Sequence, residues 1–252
     1  MSMGIILCEG RTDQSLLGNY LEKVAAWRQL RPETDKVFFE KKNPFVFAGN
    51  SILWYENEQK EYRGIWQVRG CDNFAKAIFR IFDRETREHL IDSVVVLTDY
   101  DDESAAGDRL RGIKSAIGSA LGQRLLAESL TANQWSMVEF NSDFANAVKV
   151  QVAYLLVPMD SFGTLETFIV DEIAKQSREQ ESVVEQSRTF IDEFKSECYL
   201  QKTREKIKAK LGVVISVIYP DRAFGTLDSL VKAVPWENCQ MCEQFELLKK
   251  VY

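Results

Sequence analysis

Histidine is nearly absent from this chain: His89 stands alone among 252 residues. Cysteine is sparse, with Cys8, Cys71, Cys198, Cys239 and Cys242 making an odd total of 5. An odd count in a long chain argues against a secreted disulfide framework. Cys239 and Cys242 form a lone CxxC. With no second pair and a single histidine, the four ligands of a structural zinc are not assembled, and the two read as ordinary thiols on a helix face. No run of about 18 apolar residues occurs, so no membrane-spanning helix is expected. Met1-Ser2-Met3-Gly4 carries no basic n-region and no small-residue cleavage site, so no secretion signal is expected and the expected location is cytoplasmic. A Gly-x4-Gly-Lys-Ser/Thr loop is missing, which leaves the chain without a recognisable ATPase motif. Basic excess is missing too: the formal net charge is −6 and the isoelectric point about 5.1. That balance does not suggest a nucleic-acid binder directly, although a carboxylate-rich metal site would itself push the charge negative.

What is present suits a folded protein. The chain is 45% hydrophobic and 28% charged, ordinary values for a soluble fold. Its length accommodates one large domain, or one domain with a smaller extension. The short apolar run at 5–8 reads as a buried strand. Leu16, Leu17, Tyr20, Leu21, Val24 and Trp27 then recur at helical spacing. Residues 28–67 look different: aromatic and β-branched runs at 37–39, 45–47 and 52–55, punctuated by Asn43-Pro44 and Gly49-Asn50-Ser51, predict a β-rich, hairpin-like insertion. Ile65 to Val68 is the next core strand, followed by a helix over about 72–88. Val94-Val95-Val96-Leu97 is the clearest central parallel strand, apolar on both faces. A helix over about 104–131 and strands at 135–140 and 150–157 follow. Gly163-Thr164-Leu165-Glu166 opens another helix. Residues 175–210 suggest one or two surface helices, 213–219 a last strand or buried segment, and 224–252 helix broken at Gly225 and Pro235. Strands alternating with helices predict an α/β fold with a mainly parallel sheet flanked by helices. The expected organisation is a core over 1–170 and a mainly helical C-terminal extension over 171–252 packed on it.

Two strands run into acids: the first at Glu9, the central one at Asp99 and Asp101. In open parallel sheets, function sits outside the carboxyl ends of the strands. If these two strands are neighbours, three carboxylates share one crevice. Gly10 permits a tight turn, and Asp13, on the first turn of the following helix, points back to the same place. Such a cluster is either partly protonated or filled by a cation, and hard oxygen ligands select Mg²⁺, Mn²⁺ or Ca²⁺. Asp13 also suits a helix N-terminus, and Asp102 and Glu103 suit a cap and a first-turn acid.

Leu7-Cys8-Glu9-Gly10-Arg11-Thr12-Asp13 and Val96-Leu97-Thr98-Asp99-Tyr100-Asp101 together resemble the two defining motifs of the Toprim family. These are a glutamate ending the first strand before a Gly-containing turn, and an Asp-x-Asp ending a later strand. The acid four residues after the motif glutamate is similar to the OLD-type nuclease and small stand-alone Toprim branch. Gly163-Thr164-Leu165-Glu166 resembles a further segment of that branch, which makes Glu166 a second-metal candidate. The branch also uses a lysine from a C-terminal helix; Lys206 is the first choice for it and Lys210 the second. The resemblance spans about residues 4–170, and more loosely the tail. The 28–67 insertion departs from some members, and the ATPase domain that accompanies many OLD-type enzymes is lacking.

The resemblance implies a Toprim-like, Rossmann-like core that uses one or two Mg²⁺ or Mn²⁺ ions. Glu9, Asp13, Asp99, Asp101 and Glu166 would be the metal ligands, with Glu9 and Lys206 catalytic. It implies phosphodiester hydrolysis on nucleic acid, DNA ahead of RNA, in repair or phage defence, with a separately encoded ATPase as a partner and no membrane. Arg11, Lys41, Lys42, Arg63, Arg69, Arg109, Arg111 and Lys114 are the candidates for a basic groove. The alternative is a Toprim-fold effector or binding subunit with little activity alone. Receiver-like and HAD-like proteins also cluster acids at strand ends. A HAD-like enzyme needs its Asp-x-Asp on the first strand, and a receiver domain is about half this length.

Overall fold

Met3 to Cys8 form strand β1, and every residue of it is buried, as a run apolar on both faces requires. The computed structural model describes residues 2–88, 90–121, 130–141, 147–159, 161–222 and 245–249. β1 pairs in parallel with β4 (Tyr62–Gln67) on one side and with β5 (Ser93–Asp99) on the other. β5 pairs in parallel with β7 (Val148–Val157). The edges are antiparallel: β2 (Arg28–Gln29) on β3 (Ile52–Glu56), β3 on β4, and β6 (Trp135–Phe140) on β7. The sheet order is β2-β3-β4-β1-β5-β7-β6. This is an α/β, Rossmann-like fold with a parallel centre.

Alternation along the strands builds two cores. Ile5, Leu7, Val94, Val96, Trp66 and Tyr154 face one layer, which contains α3 (Phe74–Glu88) and α4 (Glu103–Leu121). Ile6, Cys8, Ile65, Val95, Leu97 and Leu155 face the other, with α1 (Arg11–Lys23) and α5 (Leu165–Ala174). Helix α6 (Arg178–Glu193) adds Val184 to this second core, and α7 (Thr203–Ile218) adds Leu211, Val214 and Ile215. Helices α6 and α7 are therefore packed on the second core through shared apolar burial. Tyr20 reaches across to the last short helix, α8 (Glu246–Lys249), donating its hydroxyl to the Phe245 carbonyl at 3.1 Å.

Two expectations are corrected. The 28–67 insertion is only half β: Val37-Phe38-Phe39 lies in α2 (Lys36–Lys41), and Val46–Ser51 is a 3-10 turn, while β3 and β4 supply the hairpin. Phe38, Phe45 and Trp54 gather there by edge and stacked contacts rather than by ladder pairing. Residues 213–218 are not a strand but the C-terminal half of α7. The upstream Lys and Ala residues favour helix, and the apolar run places Leu211, Val214 and Ile215 on the buried side. Cys239, Cys242, Gly225 and Pro235 lie outside the described residues. Among the described residues no helix is long and apolar enough to cross a membrane.

Candidate active site

Because β1 and β5 are adjacent and parallel, with Leu7 opposite Val96, Glu9 and Asp99 emerge at the same end of the sheet. Backbone pairing continues past β1: the Val68 N–H donates to Cys8 and the Gly70 N–H to Glu9, at 2.9 and 3.0 Å. Gly70, at φ 109, holds a backbone angle that side chains disfavour. Gly10 does not: its φ of −142 is extended, and an added Cβ would meet Asp13 only at 3.9 Å. The turn after Glu9 therefore does not depend on glycine, contrary to the reading of the sequence.

Each acid is engaged by a different element. Asp13 Oδ2 accepts from the Gly10 N–H at 2.8 Å, closing the first turn of α1. Asp99 Oδ1 accepts from the Leu165 N–H at 3.0 Å, so it sits on the N-terminus of α5, where backbone donors and the helix dipole favour an anion. Thr164 caps that same helix, accepting from the Thr167 N–H. Asp101 Oδ2 accepts from Arg109 Nη2 at 2.6 Å, and Arg109 Nη1 also donates to Thr98 Oγ1 and the Asp99 carbonyl. Arg109, on α4, thereby braces the whole end of β5. Asp102 caps α4 through the Ala105 N–H at 2.8 Å.

The C-terminal helix closes the site from the other layer. Arg204 Nη2 lies 3.9 Å from Glu9 Oε2, and Lys208 Nζ lies 3.9 Å from Glu166 Oε1; both acids are 13% exposed. Arg204, Lys208, Leu211 and Ile215 form one stripe of α7 at four- and three-residue steps. Lys206 stands about 200° around the helix from Arg204 and does not share that stripe. Lys210 pairs with Asp192 at 2.8 Å instead. Among the described residues of α7, it is Arg204 and Lys208, not Lys206 or Lys210, that pair with Glu9 and Glu166. The i, i+4 spacing of Arg204 and Lys208 in line with Leu211 was the available signal.

The electrostatics show an excess of negative charge. Burial raises Asp99 to about 8, with Asp13, Glu166 and Glu9 adding to it against the Leu165 hydrogen bond. Burial raises Asp13 to about 6; the Gly10 hydrogen bond opposes this, and Glu9 and Glu166 reinforce it. Glu9 is raised as well, mainly by burial, while Arg109 and Arg204 pull it down. The four acids therefore feel one another. As they stand, no three His, Cys, Asp or Glu side chains among the described residues gather closely enough to hold one ion. Their carboxylates are turned to Gly10, Leu165, Arg204 and Lys208, and that of Asp101 to Arg109.

The proposed groove cations scatter. Arg63 is buried with its guanidinium over Trp27, Lys42 lies on Tyr62, and Arg111 pairs with Asp108. Arg69 and Arg109 remain at the strand ends. Tyr100, between the two motif aspartates, packs against the exposed Phe162 at 4.7 Å between ring centroids, an aromatic pair that the sequence reading did not anticipate.

The family described as protein of unknown function, DUF3226, matches residues 3–233. The chain belongs to this family. Both acidic motifs, Glu166 and the basic stripe of α7 all lie inside the region that DUF3226 covers. No curated protein matches the chain. Among solved structures, this DUF3226 chain is similar to the hypothetical protein PH0156 from Pyrococcus horikoshii OT3. That match has 15% identity, covers 97% of this chain and 99% of the other, and gives a TM-score of 0.42.

Proposed function

We propose that this chain carries out divalent-metal-dependent phosphoryl transfer on nucleic acid, as a Toprim-like phosphodiesterase with DNA preferred over RNA. The supporting observation is the adjacency of β1 and β5, which brings Glu9 and Asp99 out at one end of the sheet, with Asp13 and Glu166 near enough to act on Asp99. The donor set is all carboxylate oxygen, the type that Mg²⁺ and Mn²⁺ take. Burial, reinforced by neighbouring acids, raises Asp99, Asp13 and Glu9, and a bound cation would relieve that cost of ionising them. Glu9, Asp13, Asp99 and Glu166 would hold one or two ions, while Asp101 orients Arg109. A bound ion of this kind activates water and stabilises a leaving oxygen. Arg204 and Lys208 supply the cations that face a transferring phosphate. Arg109 fixes the carbonyl and carboxylate at the end of β5, so the acids keep their positions as charge changes.

A second reading is favoured by the present engagement of every acid. Arg204 on Glu9 and Lys208 on Glu166 place protein cations where an ion would otherwise balance the charge. On this reading the chain is a Toprim-fold effector or binding subunit, nearly inert until a partner, such as a separately encoded ATPase, withdraws α7. The experiment is nicking of supercoiled plasmid, and degradation of RNA, by purified protein in Mn²⁺ or Mg²⁺. The first reading expects cleavage that Glu9→Gln with Asp99→Asn abolishes. Equal inertness of both proteins over a range of substrates removes it and leaves the second.

A further inference from the structure

Beside the carboxylates, at the carboxyl end of β4, a cavity of about 300 Å³ opens. Its floor is Trp66, Val68 and Ala77, all buried; its rim is Arg69, Lys76 and Arg80, all exposed. The lining carries no acidic side chain, and among the described residues none of the three cations is ion-paired. Phe47, 49% exposed, stands on the 3-10 turn beside two of the lining residues, Trp66 and Arg80. Its ring packs edge-on against Trp66 at 5.7 Å, and the Arg80 guanidinium lies over it at 5.9 Å. Arg69 is held at φ 63, a conformation that residues other than glycine seldom adopt, between the Asn73 side chain on its carbonyl and the Gly70 link to Glu9. The cavity therefore sits at the end of the strand that neighbours β1, whose own end carries Glu9.

Cations without an ion pair among the described residues, beside an exposed aromatic ring, fit an anion that carries a planar ring. Arginine and lysine take phosphate, and an exposed phenylalanine with an arginine over it stacks a base without regard to sequence. We infer that the Trp66–Arg69–Arg80 cavity is a nucleotide subsite. It takes the base and phosphate of the unit next to the one at the carboxylates, with Phe47 stacking the base and Arg69, Lys76 and Arg80 on the phosphate. The inference rests on the nucleic-acid reading of the neighbouring acids. It adds where the strand runs, toward β4 and α3 rather than toward β7.

The test is fluorescence anisotropy of labelled hexathymidylate, and of an abasic strand of the same length, on the full chain in EDTA. Arg69→Ala, Lys76→Ala and Arg80→Ala should each weaken both probes and lower the salt slope by about one phosphate. Phe47→Ala should weaken hexathymidylate by about fivefold or more and leave the abasic strand unchanged. Phe47→Leu, which keeps an apolar contact for Trp66, should do the same. Lys149→Ala, at the opposite end of the sheet, is the charge control. Competition by thymidine monophosphate as strong as by the strand overturns a subsite for the next unit of a strand; much weaker competition supports it. The inference is overturned if the wild type binds neither probe, if the rim variants bind like the wild type, or if Phe47→Ala weakens both strands equally. The two readings fail separately. Metal-dependent cleavage with unchanged KM in the rim variants removes the subsite alone. Phe47-dependent binding by a chain that never cleaves removes the phosphodiesterase alone.

Discussion

Asp99 is the side chain whose chemistry is most displaced by its surroundings. Its ordinary pKa is about 3.9, and burial raises it to about 8 in the fold. A raised carboxyl pKa means the folded state holds the proton more tightly. That contribution to stability is fully present below about pH 4 and is lost as the pH rises through 8. Asp13, raised to about 6, contributes in the same direction over a lower window. The thermal midpoint of the metal-free protein should therefore fall between pH 5.5 and 9, as followed by circular dichroism in EDTA. Asp99→Asn keeps an oxygen for the Leu165 N–H and should flatten much of that fall. Mn²⁺ should raise the midpoint most at alkaline pH. A midpoint that rises with pH contradicts this account of the acids. The two turn glycines differ in the same physical way. Gly10→Ala should stay within about 0.5 kcal/mol of the wild type, because its backbone is extended. Gly70→Ala should cost about 1–3 kcal/mol in urea unfolding, because φ 109 is forced there by the bond to Glu9.

At the scale of elements, α7 carries the prediction. Its buried stripe sets which cations face the acids, so Arg204→Ala and Lys208→Ala should each lower kcat for cleavage by about a hundredfold, the usual loss for one charge-stabilising group. Lys206→Ala should stay within about twofold, since a 200° turn separates it from the site. A larger loss in Lys206→Ala than in Lys208→Ala would show that α7 rotates before the reaction. If the second reading holds instead, Arg204→Ala should gain activity, because it frees Glu9. The helix also shows why some elements were legible in the sequence and others were not. β1, β5 and α3 declare themselves by runs and periodicity, while the pairing of β1 with β5 that brings Glu9 and Asp99 to one end is a tertiary fact. The choice among Arg204, Lys206, Lys208 and Lys210 was only weakly marked, by the spacing of Arg204 and Lys208 in line with Leu211, and the docked position of Leu211 and Ile215 fixes the phase. Val37-Phe38-Phe39 misled for a related reason: aromatic residues suit strands, but here packing on Trp54 and Tyr62 holds them in a helix.

The molecule as a whole is organised around one end of its sheet. Four parallel strands, β4, β1, β5 and β7, point their carboxyl ends the same way. α1 and α5 bring Asp13 and Glu166 there, α4 brings Arg109, and the C-terminal helices return Arg204 and Lys208 from the far end of the chain. Within the overall charge of −6, the acids at this end of the sheet are met by Arg109, Arg204 and Lys208. Neither the sheet order nor the closure by α7 follows from composition. Strand adjacency was an inference from two acidic motifs, and the counter-charge was visible only once α7 had docked. The claim on which the rest depends is that Glu9 and Asp99 share a cation. Anomalous diffraction from crystals soaked in Mn²⁺ tests it most directly. The account predicts a manganese peak within bonding distance of both carboxylates, with Asp13 or Glu166 as a further ligand and Arg204 displaced from Glu9. A chain that keeps Arg204 on Glu9 and shows manganese elsewhere, or nowhere, contradicts it.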